Sequence, residues 1–107
     1  MSTISTHILD TSTGAPADGV AVMLLDQDGL IATGQTNANG RVEGLGPDEL
    51  PAGTYALVFD TSAYFRRSGT ETFFPRVTIE FYLSDTESHY HVPLLLSPFG
   101  YSTYRGS

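Results

Sequence analysis

Val20-Ala21-Val22-Met23-Leu24-Leu25-Asp26-Gln27-Asp28-Gly29-Leu30-Ile31-Ala32-Thr33-Gly34-Gln35-Thr36 is the stretch whose reading decides the fold. Val20 to Leu25 reads as a nearly continuous apolar strand, and Asp28-Gly29 is a strong hairpin signal leading into a second strand, Leu30 to Thr36. Before this hairpin, Ile4 to Leu9 alternates, with Ile4, Thr6 and Ile8 on one face and Ser5, His7 and Leu9 on the other. Asp10 to Pro16 reads as a loop. After the hairpin, Asn39-Gly40 marks a turn before Arg41-Val42-Glu43, and Gly44 to Pro51 is loop-like. Thr54 to Asp60 alternates again, with Tyr55, Leu57 and Phe59 sharing a face, as does Val77 to Leu83. His89 to Ser97 is a strand interrupted by Pro93, which lacks the amide a central strand needs, so an edge position or a bulge is expected there. Tyr101 to Tyr104 is the last strand. Thr61 to Gly69 breaks the two-residue period and predicts one helix of about two turns, capped by Thr61 or Ser62 and ended by Gly69. Eleven glycines and six prolines punctuate these runs. The expectation is an all-β sandwich or barrel of seven to eight strands with one short helix, in a single domain spanning 1–107.

Composition excludes several classes of function. The chain has 107 residues and a net charge of −7, and its five basic residues are all arginines. Nucleic-acid phosphates are gripped by clustered positive charge, and here only Arg66-Arg67 are adjacent, so neither a nucleic-acid partner nor a polybasic membrane patch is expected. Without lysine there is no lysine Schiff base and no phosphate-loop lysine. Without cysteine there is no disulfide, thiolate nucleophile or thiolate zinc site. Met1 to His7 does not read as a secretory signal, and no apolar run approaches the roughly 20 residues of a membrane helix. A cytoplasmic domain is the expectation.

Few residues carry chemistry on their own. His7, in a strand among hydroxyl-bearing neighbours, has the residue type of a general base, and equally that of a surface or satisfied core histidine. His89 and His91 share a strand face, and Asp85 and Glu87 have the same parity, which would extend a polar row. A histidine pair does not complete a metal site, however, and nothing else is spaced as a third ligand, so no metal is expected. Arg41, at a strand start after a tight turn, can grip a planar carbonyl or an anion with two parallel hydrogen bonds, or stand in solvent. The end of the sequence, Tyr101-Ser102-Thr103-Tyr104-Arg105-Gly106-Ser107, is aromatic, hydroxyl-rich and cationic, which is odd for a chain end, though a frayed tail is an equal reading. No Gly-x-Ser-x-Gly elbow or phosphate-cradling loop is present. These readings alone name no reaction.

Three separated segments together resemble the 5-hydroxyisourate hydrolases, the transthyretin-related proteins. They are Ser5-Thr6-His7-Ile8-Leu9-Asp10 with Gly14-Ala15-Pro16-Ala17 behind it, Gly40-Arg41 after the middle turn, and His89-Tyr90-His91-Val92-Pro93-Leu94-Leu95-Leu96-Ser97-Pro98 closing with Tyr104-Arg105-Gly106-Ser107. Thr72-Phe73-Phe74-Pro75 with Val77-Thr78-Ile79 adds a fourth match, and the terminal tetrapeptide is the most specific element. Arg76 departs from the pattern, standing where an acidic residue is expected, as does the lack of lysine.

The resemblance implies a transthyretin-like two-sheet β-sandwich and a homotetramer, a dimer of dimers, whose active sites lie in the channel between dimers. It also implies hydrolysis of 5-hydroxyisourate to 2-oxo-4-hydroxy-4-carboxy-5-ureidoimidazoline in urate degradation, with no cofactor. Water opens a cyclic amide. His7 is the first candidate for the base, with His91 positioning it or relaying the proton. Arg41 and Arg105 would steady charge on the attacked carbonyl, and Tyr104 and Ser107 would line the pocket; His89 is left as structural or supporting. The competing class is a transthyretin-like carrier holding a small aromatic ligand without catalysis, which needs neither a histidine base nor a special terminus. A structural or adhesion domain would bring a signal peptide or repeats, and neither is seen.

Overall fold

Alternation along Thr3–Asp10 (β1) buries Ile4, Thr6 and Ile8 completely and leaves Thr3, His7 and Leu9 partly exposed, so one face of this strand belongs to the core and the other looks outward. The computed structural model describes residues 3–106. The remaining strands are Ala15–Pro16 (β2), Ala21–Asp26 (β3), Gly29–Gln35 (β4), Arg41–Val42 (β5), Gly53–Phe59 (β6), Val77–Leu83 (β7), His89–Ser97 (β8) and Gly100–Thr103 (β9), and one helix, Thr61–Arg67 (α1), joins β6 to β7. One sheet runs β2-β1-β8-β9, with β5 also pairing β1; the other runs β4-β3-β6-β7. Ile4, Ile8, Leu94 and Leu96 from the first sheet and Val22, Leu24, Leu57 and Phe59 from the second share one buried core. This is the all-β sandwich with one short helix that the sequence predicts.

The Asp28-Gly29 hairpin forms as expected. Asp26 and Gly29 face each other across the turn, and Asp26 Oδ1 accepts from the amides of Asp28 at 2.8 Å and Gly29 at 3.1 Å. The first loop contains a strand the alternation does not reveal. The Asp10 backbone carbonyl accepts from the Gly14 amide and its carboxylate from the Ser12 amide, folding the chain back so that Ala15–Pro16 pairs with Leu9–Asp10. Two residues are too few to show a period.

The helix lies where the period breaks, but its cap is Asp60, whose carboxylate accepts from the Ala63 amide. Thr61 instead turns its side chain into the protein, where it is buried. Gly69 follows the helix at φ +67°, the left-handed conformation that stops helices. Tyr64 ties α1 to the end of β1, its hydroxyl donating to the Asp10 carboxylate at 2.7 Å. Burial pushes the Asp10 carboxyl up, yet the bonds from Ser12, Tyr64 and Thr13 outweigh it and hold the group below its ordinary value.

The expectation for Pro93 is corrected. Its strand, β8, is neither an edge nor bulged there: it lies between β1, in parallel register, and β9. The carbonyls of His91 and Pro93 accept from the Gly106 amide at 2.8 Å and the Thr103 hydroxyl at 2.6 Å, so odd-numbered residues of β8 direct their backbone groups toward the C-terminal segment. The missing amide of Pro93 therefore costs the β1 ladder nothing. It falls on the other side, where pairing stops after Thr103 and resumes only at Gly106.

Gly40 sets the approach of Arg41. It stands at φ +75°, its carbonyl accepts from the Ile8 amide at 2.7 Å, and a Cβ there would lie 2.5 Å from the Ile8 carbonyl oxygen. Gly14 has the same φ with nothing nearby. Urea unfolding is expected to show Gly14→Ala costing about 1 kcal/mol from backbone strain. Gly40→Ala is expected to cost clearly more, about 3 kcal/mol, because strain and overlap combine. Equal losses would mean that the close approach is not constraining.

Candidate active site

The outward faces of β1 and β8 meet along their parallel ladder. Thr3 pairs with His89, Ser5 with His91 and His7 with Pro93, and partners in such a ladder project to the same side. On the other edge of β1, Arg41 is the antiparallel partner of His7. Side chains from three remote parts of the sequence thus share one surface. A pocket of about 540 Å³ opens there, walled by Ser5, Arg41, Glu43, His89, His91 and Tyr104. Gly106 closes it against the His91 ring: a Cβ at Gly106 would lie 2.5 Å from His91 Cδ2.

Of the residues singled out from the sequence, Arg41, His91 and Tyr104 stand in this wall. His7 is on the same face, opposite Arg41 and beside the pocket rather than in its wall. Arg105 is not brought to it. The pairing register places position 104 opposite Pro93, on the outer face, and 105 opposite Val92, on the inner one. The Arg105 guanidinium accordingly lies over the Tyr90 ring, 4.4 Å from its centre, in an adjoining cleft with Ile79 and Phe81 that shares His91 and Tyr104 with the pocket. Ser107 lies outside the described residues. Asp85 and Glu87 do not extend the histidine row: they sit in the turn before β8, where Asp85 accepts from the Glu87 amide and the Ser88 hydroxyl. No group of three or more metal-ligating side chains occurs among the described residues.

Sequence reasoning missed Ser5. Its hydroxyl lies 2.8 Å from His91 Nδ1 and 2.8 Å from His89 Nε2, and the far nitrogen of His89, Nδ1, is hydrogen-bonded to Thr3 Oγ1. Parity along β1 puts Ser5 on the face of His7, but contact across 86 residues depends on a strand pairing that no local pattern announces. Burial, and after it the charge of Arg41 and the nearby His89 and His7, hold the His91 imidazole below its ordinary value of 6.5. His91 is therefore neutral at neutral pH, and a neutral imidazole can accept a proton. Arg41 adds a fixed cation with paired donors.

A two-sheet sandwich with arginine and histidine gathered on the outer face of one sheet defines the class, and the chain belongs to the HIUase/Transthyretin family, whose model matches residues 4–106. Among its relatives, a 5-hydroxyisourate hydrolase of Salmonella typhimurium is 48% identical over 109 residues, covering 97% of this chain and 80% of the relative. The structure of Klebsiella pneumoniae 5-hydroxyisourate hydrolase superposes with a TM-score of 0.91 at 48% identity, over 98% of this chain and 99% of that one. Transthyretin from Sparus aurata superposes with a TM-score of 0.89 at 36% identity, over 96% and 95% of the two chains.

Two measurements test the site's electrostatics and packing. In an NMR titration the His91 ring is expected to protonate below pH 6.5, and Arg41→Gln is expected to raise its midpoint, because a neighbouring cation disfavours the imidazolium. A midpoint unmoved by that substitution would remove Arg41 from its surroundings. Gly106→Ala is expected to displace the His91 ring and shift its resonances while leaving the melting temperature nearly unchanged, since the strain falls on a partly exposed side chain.

Proposed function

We propose that the chain is a single-domain 5-hydroxyisourate hydrolase, opening the cyclic amide of its substrate with an activated water to give 2-oxo-4-hydroxy-4-carboxy-5-ureidoimidazoline. The observation that carries this reading is the convergence of Arg41 and a neutral His91 in the wall of one pocket. The Salmonella typhimurium and Klebsiella pneumoniae proteins act on that substrate by name, and this chain matches both over nearly its full length.

The chemistry follows from the residue types. A neutral imidazole takes a proton from water as its oxygen attacks the carbonyl, and the wall position of His91 favours it over His7 for this step. The Arg41 guanidinium faces the carbonyl oxygen, where negative charge develops, and its fork suits a flat heterocycle rich in oxygens. His7, opposite Arg41, binds the substrate edge and keeps Arg41 in place. Tyr104 supplies a ring face and a hydroxyl at the opposite wall. Arg105 braces the terminal segment against Tyr90. The reaction needs no redox change and no covalent intermediate.

The working unit is a homotetramer, a dimer of dimers. Its supports are family membership and two edge strands, β7 and β9, that carry the exposed aromatic residues Tyr82 and Tyr101. No helix among the described residues is long and apolar enough to cross a membrane, and a cysteine-free chain suits a reducing cytoplasm.

The experiment follows the ultraviolet decay of 5-hydroxyisourate freshly made by urate oxidase, with spontaneous decay as the blank. The protein is expected to accelerate it, and His7→Ala, Arg41→Ala and His91→Ala each to lower turnover by about 10² or more. Removal of residues 104–107 is expected to abolish it. Decay at the blank rate from the folded protein would favour the ligand-carrier reading.

A further inference from the structure

From the pocket toward the first residues of β1 and β8 runs a continuous hydrogen-bonded row: His91 Nδ1, Ser5 Oγ, His89 Nε2, then His89 Nδ1 and Thr3 Oγ1. Ser5 has one proton to donate and stands between two imidazoles, so it can donate to only one of them. If it donates to His91 Nδ1, His91 carries its proton on Nε2, and His89 must donate from its own Nε2. If it donates to His89 Nε2, His91 must hold its proton on Nδ1, and its Nε2 is a bare lone pair. No hydrogen-bond partner of that Nε2 occurs among the described residues. The two histidines therefore cannot choose tautomers independently.

We propose that His89 is a positioning residue that acts on His91 through the Ser5 hydroxyl, fixing its tautomer and receiving the proton that His91 takes up. The proposal rests on the reading of His91 as the base of the hydrolase. In the resting arrangement Ser5 donates to His89, and His91 Nε2 is free to accept. As water attacks, its O–H bond breaks and that proton goes to His91 Nε2. The His91 Nδ1 proton passes to Ser5 Oγ, and the Ser5 proton passes to His89 Nε2. His91 ends neutral, now with Nε2–H, every bond in the row is still made, and the positive charge rests on His89. His91 can then give its Nε2 proton to the departing ring nitrogen while the row runs backward. Protons balance at each stage, and no oxidant or reductant enters.

Electrostatics favour this placement of the charge. His91 is faced by Arg41 from β5, by His7 and Ser5 from β1 and by His89 on its own strand, with Glu43 and Tyr104 across the pocket. A second proton on His91 would add to the Arg41 cation in a partly desolvated place. His89 is exposed, one strand period farther from Arg41, and water can stabilise its charge.

Tautomers are read directly from imidazole nitrogen shifts in the free protein, with no substrate involved. His91 is expected as the Nδ1–H form in the unaltered protein and as Nε2–H, the form a free side chain prefers, in Ser5→Ala. Ser5→Thr, which keeps the hydroxyl, is expected to retain Nδ1–H. In the decay assay, Ser5→Ala and His89→Ala are each expected to lower kcat by about 10²-fold with KM little changed. His89→Gln, which can hydrogen-bond to Ser5 but cannot carry the proton, is expected to be as slow as His89→Ala. Added imidazole is expected to restore His89→Ala in part and leave Ser5→Ala unrestored. If His91→Ala is inactive while Ser5→Ala and His89→Ala keep full kcat, or if the His91 tautomer is the same in the unaltered protein and Ser5→Ala, the proposal is overturned and the hydrolase reading stands. Full activity in His91→Ala would overturn the base assignment itself.

Discussion

Eight residues of β1, Thr3 to Asp10, pair in parallel with His89 to Leu96, and nearly everything else in this protein depends on that register. The pairing joins residues near the two ends of the sequence, so its contacts span more than eighty residues. Side chains alternate across a strand, and a slip of one residue would turn Ile4, Thr6 and Ile8 outward and drive Ser5 and His7 into the core. The complete burial of those three residues, packed with Leu94 and Leu96, holds the register. The outward-facing row of hydroxyls and imidazoles is therefore positioned by hydrophobic packing on the opposite face of the same two strands.

Pro93 shows how a lost donor is used. Its ring removes an amide that would have faced the C-terminal segment, and the β8–β9 ladder lapses there for two residues before Gly106 pairs with His91. In that gap the Tyr104 and Arg105 side chains diverge, the first to the pocket and the second over Tyr90. Tyr90 is held in turn, its hydroxyl accepting from the amides of Ser84 and Asp85. Where the ladder resumes, the absence of a Cβ at Gly106 lets the backbone press against the His91 ring. A local defect in the sheet thus lets Tyr104 and Gly106 reach the site.

The chemical character of the site comes from crowding cationic and neutral donors in an otherwise acidic protein. With a net charge of −7, the chain surrounds Arg41 with an unfavourable field for anions at long range, while the pocket wall brings the guanidinium and His91 together, with the Glu43 carboxylate beside them. Burial and the Arg41 cation both disfavour a charged His91, so it stays a proton acceptor at neutral pH.

Local pattern alone determined much of this protein: alternation along β1, β6 and β7, the Asp28-Gly29 hairpin, and the break in period where α1 forms. It also determined that Ser5 and His7 share a face, because parity within a strand follows from backbone geometry. The candidate site residues became legible only when separated motifs were taken together, since each histidine and arginine has an ordinary role when read singly. Tertiary structure decided what local pattern cannot carry. It placed β8 in the centre of its sheet despite Pro93, because the orientation of a missing amide depends on which neighbour lies on which side. It turned Arg105 away from Arg41 through the register of the terminal segment, and it set Ser5 between two histidines more than eighty residues away. Contacts between remote strands are fixed by the packing of the whole core, and no short window of sequence contains them.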